Sequence, residues 1–116
     1  MISKELLSEV LNDKKILLSK NDLLIGDNVL LFDNQCNYLV NINIYELSHK
    51  CKEWAFDKGY SLESAKRAVL GKDNKMTNAW ICCGFTSTYE VLPNFTATTE
   101  PEAIFKACEW IMEQTK

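Results

Sequence analysis

Long apolar runs are missing from this chain of 116 residues. The longest, Ala79-Trp80-Ile81-Cys82-Cys83, falls far short of the ~20 residues that cross a bilayer, and Val29-Leu30-Leu31-Phe32 comes next. Glycine and proline are scarce, at four and two residues, which excludes collagen-like and low-complexity character. The four isolated glycines form no dinucleotide fingerprint. Gly71-Lys72 has no second glycine placed to make a phosphate loop. There is one histidine, and one arginine beside twelve lysines. No apolar h-region follows Met1-Ile2-Ser3-Lys4-Glu5, so no signal peptide is expected and the expected location is the cytoplasm.

What is present fits one folded α+β domain over residues 1–116. The chain is 47% hydrophobic and 25% charged, ordinary values for a globular protein. A net charge of −3 gives no overall attraction to nucleic acid or to an anionic membrane, and neither is expected as a partner. Residues 65–75 are locally basic, with Lys66, Arg67, Lys72 and Lys75 against Asp73, a stretch too short and sparse for a nucleic-acid footprint by itself.

Three helices are marked by their start signals. Ser3 caps the first, with Ile2 and Leu7 as a hydrophobic staple, a stripe of Leu6, Leu7, Val10 and Leu11, and an end at Asn12-Asp13. Asn43 caps the second, Glu46 closes a capping box, and Ile42 faces Leu47. Its stripe is Ile44, Leu47, Cys51, Trp54 and Ala55, ended by Lys58-Gly59. Thr99 opens the third, with Pro101 in its first turn and Ile104, Ala107, Cys108 and Ile111 buried.

Between them lie apolar stretches bounded by Asn, Asp and Gly. Strands are expected at residues 15–19, 22–25, 29–32 and 38–42, then at 60–70, 78–87 and within 89–98, where Pro93-Asn94 bends the chain. As a strand, 78–87 turns Ala79, Ile81, Cys83 and Phe85 to one face and Trp80, Cys82, Gly84 and Thr86 to the other. Short links predict an antiparallel sheet with the helices packed on it, an α/β sandwich of order α-βββ-α-βββ-α with a further strand in its first half, α-βββ(β)-α-βββ-α.

Candidate chemistry is sparse. Five cysteines, Cys36, Cys51, Cys82, Cys83 and Cys108, are an odd number in a compartment that keeps thiols reduced, so no disulfide framework is expected. Neither His49-Lys50-Cys51 nor Cys82-Cys83 has the spacing of a structural zinc site, and no metal or other cofactor is expected. His49 and Cys51 diverge by roughly 200° on a helix, which argues against a Cys-His pair, and no catalytic residues are assigned. Trp80 and Trp110, with His49, are the candidate contacts for a ligand or partner.

From about residue 44 to 113 the sequence resembles small phage and prophage proteins of the phage ABA-sandwich type. The likeness rests on the helix around Trp54, a strand opening with Ala79-Trp80, and Phe95-Thr96-Ala97-Thr98-Thr99 leading into Pro101-Glu102-Ala103-Ile104 and Ala107. It implies an α/β sandwich of phage or prophage origin and brings no assigned activity. The expectation is an accessory protein, more a binder than an enzyme, that engages a host or phage macromolecule. One concrete form is a defence or regulatory inhibitor whose acidic surface meets a basic partner. The alternative is a small-molecule or nucleotide-binding module at a homodimer interface lined by Trp80 or Trp110. An open sheet edge would also support a plain homodimer.

Overall fold

The computed structural model describes residues 2–116, apart from the Asn21 side chain. In chain order it contains α1 (Lys4–Leu11), a short 3₁₀ helix (Lys14–Leu18), β1 (Asn21–Ile25), β2 (Asn28–Phe32), β3 (Tyr38–Asn43) and α2 (Ile44–Asp57). Then come β4 (Tyr60–Leu70), β5 (Met76–Thr86), β6 (Phe95–Ala97) and α3 (Glu100–Gln114). The α+β order matches the expected pattern, but the strands form two antiparallel sheets, β1-β2-β3 and β4-β5-β6.

Local chemistry accounts for the helix ends. The Ser3 hydroxyl accepts from the Leu6 amide at 3.2 Å, and Asn43 Oδ1 accepts from Tyr45 at 2.9 Å and Glu46 at 3.4 Å. Thr99 Oγ1 takes the Glu102 amide at 3.4 Å. Asn12 ends α1 in the left-handed region, at φ 54°, a conformation that asparagine tolerates better than most residues. Gly59 turns the chain after α2 at φ 93°, where a side chain would be strained.

Residues 15–19 correct the sequence reading, since they form a 3₁₀ turn and not a strand. Asp13 accepts from the Lys15 amide at 3.0 Å, and its carbonyl accepts from Ile16 at 3.3 Å, so the chain coils at once. The turn buries Ile16 completely and leaves Leu17 and Leu18 in water. A continuous Ile-Leu-Leu run has no period to tell strand from turn, and the local cap decides. Of residues 89–98 only β6 is a strand, preceded by a single Phe85–Val91 bridge.

One apolar cluster joins both sheets. Val29, Leu31 and Ile42 from the first sheet meet Leu6 and Leu7 of α1, Leu47, Cys51 and Trp54 of α2, Cys82 of β5, and Ile104, Phe105, Cys108 and Ile111 of α3. Helices α2 and α3 lie together over the inner face of β4-β5-β6. Strand alternation turns Trp80 and Cys82 towards them, as the sequence predicts, and turns Ile81 and Cys83 away. Gly84 lies on the inner side, where an added Cβ would overlap the Ser61 carbonyl oxygen of β4.

The β4–β5 hairpin outruns the helices. It is paired without a break from Tyr60–Thr86 to Leu70–Met76. Residues 65–68, Leu70 and 72–78 are exposed, so the distal half stands off the body as a two-stranded arm.

Candidate functional site

The thiols are the strongest nucleophiles the chain could offer. Cys51, Cys82 and Cys108 are buried, and Cys108 Sγ donates to the Cys51 carbonyl at 3.5 Å. Burial, reinforced by Cys108 nearby, pushes the Cys82 thiol up to about 12. Hydrogen bonding with Cys51, then burial, pushes the Cys108 thiol up as well. Both shifts oppose thiolate formation, the reverse of what an activated nucleophile requires. His49 is on the solvent side of α2, its Nε2 2.8 Å from Glu53 Oε1, while Cys51 faces the core. Among the described residues no three His, Cys, Asp or Glu side chains converge as a metal-ligand group.

One polar cluster joins three elements and was invisible in the sequence. Lys52 Nζ of α2 donates to Ser64 Oγ of β4 at 3.0 Å, and that hydroxyl donates to Glu100 Oε2 of α3 at 2.9 Å. Serine beside lysine suggests a nucleophile and base, but the roles here are different. The hydroxyl proton is committed to Glu100 and an oxygen lone pair to the lysine, which leaves Ser64 a bridge between two charged groups. None of the described cavities is lined by these three residues. The cluster ties both helices to the sheet.

The largest of the described clefts, about 690 Å³, lies beside the 3₁₀ turn and is lined by Lys4, Lys15, Leu17, Leu18, Ser19, Lys20, Asp33, Asn34 and Leu39. Its one carboxylate, Asp33, is engaged by the amides of Gln35 and Asn37, each at 2.9 Å. The backbone bond from Asn37 is the main cause holding that carboxyl below its ordinary 3.8. The cleft therefore sets three leucines beside three lysines, with its carboxylate held by backbone amides.

Trp80 and Trp110 pack half-buried against the core and line none of the described cavities. Trp110 meets Tyr60 edge-on at 6.4 Å and Phe95 at 6.1 Å. The two tryptophans and His49 are not gathered into one site: the rings support α3 against the second sheet, and His49 stands in solvent. The sequence reading missed a more exposed group, in which Tyr89, at φ 65° and 83% exposed, stacks on Phe85 with ring centroids 6.0 Å apart.

The arm carries charge opposite in sign to the rest of the molecule. Residues 65–78 hold Lys66, Arg67, Lys72 and Lys75 against Asp73 alone, a net +3, and with the whole chain at −3 the rest carries −6. Asp73 Oδ1 accepts from the Lys75 amide at 3.2 Å inside the turn, and Gly71 and Lys75 close the loop with a backbone bond of 2.9 Å. Lys66 and Arg67 point to opposite faces of the ribbon, and Lys72 and Lys75 occupy its tip.

Among the described residues no helix is long and apolar enough to cross a membrane. Comparison with family models, curated proteins and solved structures finds no match to the chain.

Proposed function

We propose that this protein acts by binding another protein rather than by catalysis, and that the β4–β5 arm makes the contact. The carrying observation is the segregation of charge. The β4–β5 arm, which projects from an acidic body, is cationic on both faces and at its tip. Such an arm fits an acidic cleft on a partner and raises its encounter rate by electrostatic steering. This reverses the polarity expected from bulk composition, in which the acidic surface makes the contact. Composition averages over the chain and hides an arm of opposite sign.

A protein suits the arm better than a nucleic acid. The exposed half-hairpin reaches ~16 Å at the rise of an extended strand. A duplex with one charge every ~1.7 Å would run past the arm and face the acidic body, whereas an acidic patch on a protein ends where the arm ends. A phage or prophage accessory role belongs to the same proposal and rests on the resemblance carried by residues 44–113.

The test compares wild type with Lys72→Glu/Lys75→Glu as baits in bacterial lysate at ~50 mM salt, with and without nuclease. Both positions lie in an exposed turn, so the variant keeps its fold, which circular dichroism verifies. A protein held by the wild type, released by ~300 mM salt and absent from the variant supports the reading. The same proteins on both baits refute it, and loss of the captured protein on nuclease treatment transfers the arm to nucleic acid.

A further inference from the structure

The cleft beside the 3₁₀ turn has a lining that the packing of the fold does not explain. Leu17 and Leu18 stand 47% and 72% exposed along it, and half-buried Leu39 of β3 joins them. Lys4, Lys15 and Lys20 line the same cleft with Asp33 as its one carboxylate, so the lining carries a net +2 on a chain of net −3. Apolar side chains and uncompensated amines are left in water side by side.

Three local arrangements keep those amines available. Asp33 is held by its own turn: Oδ1 accepts from the Gln35 and Asn37 amides, and Oδ2 from the Asn37 side chain at 3.3 Å. No ion pair among the described residues joins it to a lysine. Lys4 is fixed in place, because its Nζ donates to the Ser19 carbonyl at 2.6 Å, and two of its three N–H bonds remain to offer. Ser19 itself stands in the wall at 3% exposure, and its hydroxyl is buried with no hydrogen-bond partner among the described residues. A donor orphaned in this way costs stability, and an anionic oxygen seated at the wall supplies the missing acceptor.

We propose that this cleft binds a small amphiphilic anion, a single apolar chain that ends in a carboxylate or phosphate. The head meets the lysine ammonium groups and the Ser19 hydroxyl, and the chain covers the three leucines. Neither half suffices alone. A bare anion leaves the leucines wet, and a neutral or cationic chain leaves the amines unpaired. The volume of about 690 Å³ lies within the ~300–1,000 Å³ of clefts that take small molecules. An anionic membrane offers the same chemistry, but a concave cleft admits one molecule and not a flat bilayer. No residue of the β4–β5 arm lines this cleft, so the two readings stand or fall separately.

The experiment follows the amide resonances of the whole chain by NMR during titration with decanoate. Decyltrimethylammonium, decanol, acetate and phosphatidylglycerol vesicles are titrated in parallel. Decanoate is expected to saturate, with shifts concentrated at residues 15–20, 33–34 and 39, while acetate and decyltrimethylammonium give no saturating shift there. Decanol should bind about tenfold more weakly, the loss expected for a charge-assisted hydrogen bond. Lys15 and Lys20 are exposed, so Lys15→Glu/Lys20→Glu keeps its fold, which its melting temperature verifies, and should weaken decanoate about tenfold or more. Ser19→Ala should melt no lower than wild type yet bind decanoate more weakly, a pairing that a merely structural serine would not give. Shifts that never saturate, equal binding of decyltrimethylammonium, or wild-type affinity in either variant overturns the inference. Binding to vesicles without saturation by decanoate overturns it too and assigns the face to a membrane.

Discussion

Thiol reactivity tests the absence of an activated nucleophile, and its size follows from the structure. A thiol at the ordinary 9.0 is about 10% thiolate at pH 8, whereas Cys82, pushed up to about 12, is about 0.01% thiolate. Thiolate fraction alone therefore slows Cys82 by about 1000-fold, and burial adds a barrier of access. Cys108 is shifted in the same direction, with its proton given to the Cys51 carbonyl. The assay is iodoacetamide labelling of the folded protein at pH 8, read by peptide mass spectrometry over time. Exposed Cys36 is expected to label first and half-buried Cys83 more slowly, with Cys51, Cys82 and Cys108 blocked until the fold opens. In denaturant all five should label at similar rates. Labelling of Cys82 or Cys108 in the native state as fast as Cys36 would refute the reasoning, because it would require a stabilised thiolate in the core.

Four further outcomes follow from the packing. Gly84→Ala drives a methyl into the Ser61 carbonyl and should cost about 1–3 kcal/mol in denaturant unfolding; an unchanged midpoint would mean that β4 gives way freely. Ser19 Oγ is buried without a hydrogen-bond partner among the described residues, so Ser19→Ala should be neutral or stabilising by up to about 1 kcal/mol, and a loss would reveal a bond to that hydroxyl. Ile16→Ala should cost about 2–4 kcal/mol and Leu18→Ala almost nothing; comparable losses at both would instead mean a strand over residues 14–18, whose alternation puts 16 and 18 on one face. Asp33 has a folded pKa below its ordinary 3.8, so its contribution is complete above that value and is lost as pH falls through the lower folded one. The Gln35 and Asn37 amide resonances should titrate together below pH 4, and flat shifts there would contradict the turn.

The legible parts of this fold are those decided within a few residues of chain. Ser3, Asn43 and Thr99 each cap the helix that their neighbours announce, because the hydroxyl or amide has only to reach two or three residues on. The period of two in β5 assigned Trp80 and Cys82 to one face and Ile81 and Cys83 to the other, as found. Residues 15–19 failed because three successive apolar side chains carry no period, so the Asp13 cap settled the matter. The Lys52–Ser64–Glu100 bridge joins residues up to 48 positions apart and leaves no trace in spacing. The arm was half legible. Its basic residues and turn could be read, but how far α2 and α3 cover the hairpin depends on helix placement.

Hydrogen exchange of the chain, alone and with its captured partner, tests the central claim most directly. Binding through the arm predicts slowed amide exchange across residues 66–78, with the Lys72–Lys75 turn protected most and the rest of β4 and β5 unchanged. Protection confined to Tyr89 and Val91, or to the helices, with the arm exchanging as in the free protein, would contradict it.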